Sequence, residues 1–377
     1  MGNALIETSA LTLSETIKEK IFKEGNISFR EFMEMALYHP EMGYYTSEGN
    51  KIGTQGDYYT SPDITPILGE MIGKQLEEMW IILDKKPFSV VEYGAGDGSL
   101  CKDILLYLKN NTEFYNDLTY YIIEKSPAAL EKEKRLLTEK VQWIDSLGSV
   151  APINGCILSN EVLDNFSVHR VVMKEDLMEV YTGYEDGFFE VLKQAPKPLK
   201  EYFEELNVLL PYGFCTEVNL EALSWLNDIA NGLQKGFVLT IDYGYPSHEL
   251  YRYDRRAGTL VCYSRHRLHD NLYSNIGNQD ITTHVNFSAL CHWGLKYGLD
   301  YCGFIHQSYF LLALGLNEYL RKTEEKEHSD YLNDEQKAFF INTFMVDIGN
   351  KLKVLIQQKG LPPQKLLGLK FMFKKLY

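Results

Sequence analysis

No stretch of this chain approaches the ~20 consecutive apolar residues that a membrane-spanning helix requires. Near the start Glu7, Glu15 and Lys18 break any apolar run, so no secretory leader is predicted and the sequence reads as a soluble, cytoplasmic protein. C-x-x-C pairs are missing as well. The six cysteines (Cys101, Cys156, Cys215, Cys262, Cys291 and Cys302) show no metal-ligand spacing, nor do Arg265, His266, His284 and His292, so no metal site is expected. Reduced, buried thiols are the expectation instead. Repeats and low-complexity segments are absent. Positive charge is in deficit: 38 Lys and Arg stand against 52 Asp and Glu, a formal net charge of −14. A phosphate backbone would be repelled overall, so no nucleic-acid partner is expected, whereas a basic peptide or protein surface would be attracted.

What the chain does have is an apolar share of 45% in 377 residues, enough for one core domain with large additions. Residues 1–87 read as mostly helical. Ser28-Phe29-Arg30-Glu31 fits a capping box ahead of Phe32, Met33, Ala36 and Leu37 at helical spacing, and Pro40 stops that helix. Thr65 is expected to cap a second helix with Pro66 at its first position and an apolar stripe from Ile67 to Met79. From 88 to 245 the period changes. Short β-branched or aromatic runs (PFSVVEYGAG, LTYYIIEKS, VQWI, NGCILSNEVLD, GFVLTIDYG) alternate with helical stretches, which argues βαβ units and a parallel sheet. Residues 168–193 interrupt them as an antiparallel meander that turns at Tyr184-Glu185-Asp186-Gly187. In 246–377, GTLVCYS and DYCGFIHQ read as strands, each followed by a helix, and the terminal LKFMFKKL alternates like an edge strand.

The most informative stretch is Val90-Val91-Glu92-Tyr93-Gly94-Ala95-Gly96-Asp97-Gly98-Ser99, a strand running into a glycine-rich turn and then a helix. Gly94 permits the tight turn, and Gly96 lets backbone approach a ligand closely. A dinucleotide fingerprint is G-x-G-x-x-G, but here Gly98 comes one place early, which counts against a nicotinamide dehydrogenase. With Glu92 ahead of it, the E-x-G-x-G-x-G form is typical of class I methyltransferases that use S-adenosylmethionine (SAM). Glu124 ends the second strand, where an acid can accept hydrogen bonds from both ribose hydroxyls. Asp145 closes the third, where a carboxylate can take the adenine amino hydrogen.

With these residues the chain resembles the MidA-like methyltransferases. The resemblance runs roughly from Phe29 to Leu316, through FMEMALYHPEMGYY, GDYYTSPDITPILGE, VEYGAGDGSL, SNEVLDNFSVHR, TEVNLEA, IDYGYP, GTLVCYSRHR and GNQDITTHVNFSAL. It implies an α/β fold: a class I SAM-methyltransferase Rossmann-like sheet with an N-terminal helical region and the inserted meander. Residues 1–87 would then be a helical and lid region, 88–245 the SAM-binding core, and 246–377 a substrate wall that completes the sheet. In the mitochondrial members, which are complex I assembly factors, the resemblance further implies methylation of an arginine in a respiratory-complex subunit.

Ligands in open α/β sheets sit beyond the carboxyl ends of the strands, so Asn160, Glu161 and Asp164, which end the fourth strand, should line the site. Glu161 and Asp164 can hold a guanidinium through bidentate, charge-assisted hydrogen bonds. Alternatively, Glu161 binds the SAM amino group or a backbone turn. His169 is either the acceptor of the released proton or a structural histidine. Asp242 and Tyr243, ending strand five, should face the pocket, while Glu217 and Asn219 point inward or cap a helix. Arg265-His266-Arg267 and Gln279-Asp280-Ile281-Thr282-Thr283-His284 form a substrate wall or a structural network. Thr60, Ser61 and Pro62, just before a capped helix, are expected to fold over the cofactor as a lid. The expected function is SAM-dependent N-methylation of a protein arginine, by a chain that is compatible with a homodimer. Methylation of a small molecule or another side chain, and a non-catalytic SAM-binding assembly factor, are the alternatives.

Overall fold

The computed structural model describes residues 11–47, 66–137, 139–264, 267–324, 348–372 and 376. Thr60, Ser61, Pro62, Thr65, Arg265 and His266 lie outside the described residues. The N-terminal part holds α1 (Leu13–Glu24), β1 (Ile27–Ser28), α2 (Phe29–Tyr38) and α3 (Ile67–Ile82). Next come β2 (Phe88–Tyr93), α4 (Ser99–Leu108), α5 (Thr112–Asp117), β3 (Leu118–Ile123), α6 (Pro127–Leu136), β4 (Val141–Trp143) and β5 (Ile153–Asn160). The strands β6 (His169–Met173), β7 (Leu177–Tyr184) and β8 (Phe188–Gln194) precede α7 (Lys197–Glu205), β9 (Cys215–Val218), α8 (Leu220–Gly232) and β10 (Leu233–Tyr245). The C-terminal part adds α9 (Ser247–Leu250), β11 (Val261–Ser264), β12 (Arg267–His269), β13 (Asp280–Thr282), β14 (Val285–Asn286) and α10 (Phe287–Lys296). It ends with β15 (Asp300–His306), α11 (Gln307–Ala313), α12 (Leu316–Glu324), α13 (Ile348–Lys351) and β16 (Leu352–Lys359).

The central sheet has the order β15-β16-β10-β5-β2-β3-β4, with β14 added beside the end of β10. The five strands from β10 to β4 are parallel, and β16 runs antiparallel to both its neighbours. A parallel sheet covered on both faces reads as continuous apolar sequence rather than alternation. β2 and β5 show this: Val90 and Val91 are both buried, as are Cys156, Ile157 and Leu158. One layer packs α3 and α4 against Phe88, Val90, Leu239 and Ile356; the other packs α8 and α10 against Val91, Ile157 and Val238. At Gly155 a Cβ would stand 1.9 Å from the Ser89 carbonyl, so any side chain there would force β2 and β5 apart.

The meander is antiparallel as expected and larger than expected. β1 joins it beside β7 and β9 beside β6, giving five strands. Ser28 caps α2 by accepting the Glu31 N–H, as the sequence suggested. The apolar faces of α1 and α2 then pack on Val168 of the meander side and on Cys262 and Ile281 of a small β12-β11-β13 sheet.

Three boundaries differ from the sequence expectation. Pro66 is the cap rather than the first residue of α3. SYFLLALGLNEYLRK breaks at Gly315, which turns at φ +100° between α11 and α12. Of LKFMFKKL, residues 373–375 lie outside the described residues, and its start, Leu369, closes a 3-10 turn (Leu367–Leu369) rather than opening a strand. The strand that inserts next to β10 is β16, hidden in the sequence by Lys353, Gln357 and Gln358. All three are buried and donate to main-chain carbonyls: Lys353 to Asn350 and Lys351, Gln357 to Leu290, and Gln358 to Leu361 and Pro362.

Candidate functional site

The strand order reverses between β2 and β5, since the chain leaves one toward β3 and the other toward β10. Loops that leave such a pair diverge and open a crevice at the carboxyl ends of the strands. A cavity of about 1100 Å³ lies there. Its floor is the Gly94-Ala95-Gly96-Asp97 turn, where Gly94 and Gly96 both take φ +64°. Glu92, Glu124 and Asp145 line one end; Asn160, Glu161, Asp164, Tyr243, Asp280, Thr282, Thr283 and His284 line the other.

Glu92 is buried in this floor and accepts the Tyr120 hydroxyl at 2.9 Å. Burial pushes its carboxyl up from 4.5 to about 7. The folded pKa lies above the unfolded one, so the folded state holds the extra proton between those values and stability falls as pH rises from 4.5 to about 7. Glu92→Gln keeps an acceptor for Tyr120 and removes the ionisation. It is expected to gain on the order of 2–3 kcal/mol over the parent in urea unfolding near pH 8 relative to the difference near pH 5. The same difference at both pH values would contradict a buried, titrating Glu92.

At the other end, Glu161 terminates β5 in the left-handed region, at φ +54°. Such a backbone is unusual for a side chain with a Cβ and persists only where the surroundings enforce it. Here the Glu161 N–H donates to the Ile241 carbonyl, and the next two N–H groups, of Val162 and Leu163, donate to Asp242 at 3.2 and 2.8 Å. Asn160 donates its amide to Glu161 at 3.3 Å, and its own Oδ1 is buried without a partner among the described residues. Asp164 is buried with Oδ1 likewise unpartnered. Desolvation raises its pKa well above the usual range, and Asp242, Glu161 and Asp280 push the same way.

Residues far apart in sequence close the cavity. Tyr38 donates to the Asn165 carbonyl, Tyr45 donates to Asp280 at 2.8 Å, and Ser126 donates to the Tyr45 carbonyl. The rings of Tyr38 and Tyr45 stack at 5.5 Å, with Lys125 over Tyr38. Sequence reasoning missed both tyrosines as site residues, for nothing local in their segment marks a partner 235 positions away.

Several expected site residues are placed elsewhere. His169 sits on β6, bound to Glu179 at 2.6 Å, and does not line the cavity. Asp242 does not line it either; it is fully buried and spends its oxygens on the N–H groups of Val162, Leu163 and Tyr243. Gly98 turns at φ +87° beneath α6, where a Cβ would meet Leu137 at 3.2 Å, and is no part of the cavity wall. Asn219 caps α8 and donates to the Leu163 carbonyl. Glu217 accepts the Thr259 N–H and hydroxyl, and Gln279 donates to the carbonyls of Asn271 and Leu272.

A parallel sheet closed by one antiparallel strand, with a glycine turn and an acid-ended second strand at the switch point, defines a SAM-dependent methyltransferase. The S-adenosyl-L-methionine-dependent methyltransferase family Methyltransf_28 matches residues 71–305, more than half of the chain. The chain belongs to that family, the MidA-like SAM methyltransferases. A Drosophila melanogaster relative, named protein arginine methyltransferase NDUFAF7 homolog, mitochondrial, is 27% identical, over 80% of this chain and 74% of its own. The human protein arginine methyltransferase NDUFAF7, mitochondrial, is 25% identical, over 87% and 78%. A Burkholderia thailandensis protein crystallised with S-adenosyl-homocysteine superposes with a TM-score of 0.86 at 26% identity, over 96% of this chain and 95% of that one. The mitochondrial names correct the cytoplasmic location expected from the sequence. The broken apolar run near the start and the lack of a long apolar stretch, on which that expectation rested, do not report compartment. No helix among the described residues is long and apolar enough to cross a membrane.

Proposed function

We propose that this methyltransferase N-methylates an arginine side chain of a protein substrate. The observation that carries the proposal is Asp164, a buried carboxyl with an unpartnered oxygen, on the cavity wall beside Glu161 and Asp280. A site so acidic favours a cation, and a planar guanidinium can satisfy two carboxylates at once while one nitrogen stays directed at the cofactor. Binding that cation would favour the ionised form of Asp164, against the burial that raises its pKa. The relatives' names as protein arginine methyltransferases support the same substrate class.

The cofactor supplies an electrophilic methyl group on its sulfonium. Toward it, Glu124 would accept from the ribose hydroxyls, Asp145 from the adenine amino group and Asn160 Oδ1 from the amino group of the methionine part. The two positive-φ glycines keep the floor flat enough for close approach. Gly96→Val is expected to weaken SAM binding by more than about tenfold, and Glu124→Ala by ~1–3 kcal/mol through lost charged hydrogen bonds, both by calorimetry. Tight NAD binding with none of SAM would defeat the cofactor assignment.

The substrate class is tested by transfer of tritiated methyl from SAM to whole-cell protein, with mass spectrometry of the labelled band. Methylarginine is the expected product, and the labelled protein shows whether the substrate is a respiratory-complex subunit. Label on lysine, on a carboxylate or on a small molecule alone would refute the arginine assignment.

A further inference from the structure

Glu133 lies outside the cavity wall, yet it is fully buried on α6. Trp143, from the end of β4, donates its Nε1–H to Glu133 Oε2 at 2.7 Å. The other oxygen, Oε1, is buried and receives no N–H or O–H from any described residue. The Glu124 carboxyl stands within side-chain hydrogen-bonding reach of Glu133. Two carboxylates only accept, so a bond between them needs a proton on one. Glu124 is the better anion of the two: the Ser126 N–H donates to its Oε1 at 2.6 Å, and the N–H groups of Lys125 and Gly96 also stabilise it. Glu133 has the Trp143 donor alone, which places the proton on Glu133.

We infer that Glu133 is a positioning residue of the cofactor site, a neutral carboxylic acid whose single O–H is donated to Glu124 and fixes that carboxylate toward the ribose. Charge and burial agree. Desolvation and then Glu124 push Glu133 up to about 8, with the Trp143 bond opposing them. Burial raises Glu124 too, opposed by its N–H donors. The other titratable groups facing the pair are Glu92 from β2, held by Tyr120 of β3, and Cys101 from α4; Lys134 stands over the Trp143 ring at 5.7 Å. Above the Glu133 pKa a second negative charge replaces the donated proton, and Glu124 is then repelled from its place instead of held in it.

The inference rests on Glu124 as the ribose partner. Its test is calorimetric binding of 5′-methylthioadenosine, which carries ribose and adenine and no group that titrates near neutrality. In the full-length parent the dissociation constant should rise about tenfold between about pH 6.5 and about pH 9. Glu133→Gln, whose amide donates at every pH, should bind within about threefold of the parent at the lower pH and show no slope. Glu133→Leu, checked for folding by its thermal melt, should bind about tenfold more weakly at the lower pH. A flat parent profile overturns the inference, and so does parent-like affinity in Glu133→Leu. A slope retained in Glu133→Gln assigns the titration to Glu92 and overturns it equally. Failure of the underlying assignment looks different: Glu124→Ala would bind the nucleoside as the parent does.

Discussion

Glu161→Gln is expected to lower single-turnover methyl transfer by about a hundredfold or more while SAM affinity stays within about threefold of the parent. The substitution keeps the shape of the side chain and removes its charge. The backbone beneath it is fastened independently, by the Glu161 N–H on Ile241 and by the Asp242 contacts to the following turn, so the variant should retain the φ +54° conformation. What is lost is a carboxyl that lines the cavity beside Asp164, the pair proposed to hold the substrate cation. Asp164→Asn should behave similarly, and the double variant should be little worse than either single one if the two act as a clamp. The opposite pattern, weak SAM binding with a normal rate at saturation, would place Glu161 on the cofactor's amino group and sink the guanidinium clamp.

Asp242→Ala is the second large effect. Three backbone N–H groups would be left without their acceptor, that of Leu163 in a fully buried place and those of Val162 and Tyr243 in partly buried ones. Each such group costs ~1–3 kcal/mol, partly offset because a buried carboxyl that burial pushes up to about 7 is also removed. The net expectation is a loss of about 3–5 kcal/mol in urea unfolding near pH 7, with methyl transfer falling because the 161–163 turn loses its anchor. Normal stability and normal SAM affinity combined with lost transfer would return Asp242 to the direct catalytic role that the sequence suggested.

The sequence carried the sheet and much of the cavity wall, and the reason is that both are local. A glycine turn, an acid at a strand end and a run such as Ser159-Asn160-Glu161 announce themselves within ten residues, and Glu92, Gly94, Gly96, Glu124, Asp145, Asn160, Glu161 and Asp164 all line the cavity. What stayed illegible depends on register and on long-range pairing. His169 looked like a candidate base until the β6–β7 pairing set it against Glu179. Asp242 ends the fifth strand as expected, but its oxygens turn sideways to a loop 80 positions earlier. β16 was invisible because its polar residues donate to carbonyls that only the fold supplies.

Tyr38 and Tyr45 have a consequence for where this protein can be cut. The family match begins at Met71, yet the stacked tyrosines that brace Ser126 at one end of the crevice and Asn165 and Asp280 at the other come from upstream of it. The nucleotide-binding half is therefore not a transplantable module. A fragment beginning at Met71 would keep the floor and lose the crossbeam, so the two ends of the crevice are tied together by a segment that a minimal definition of the domain leaves out.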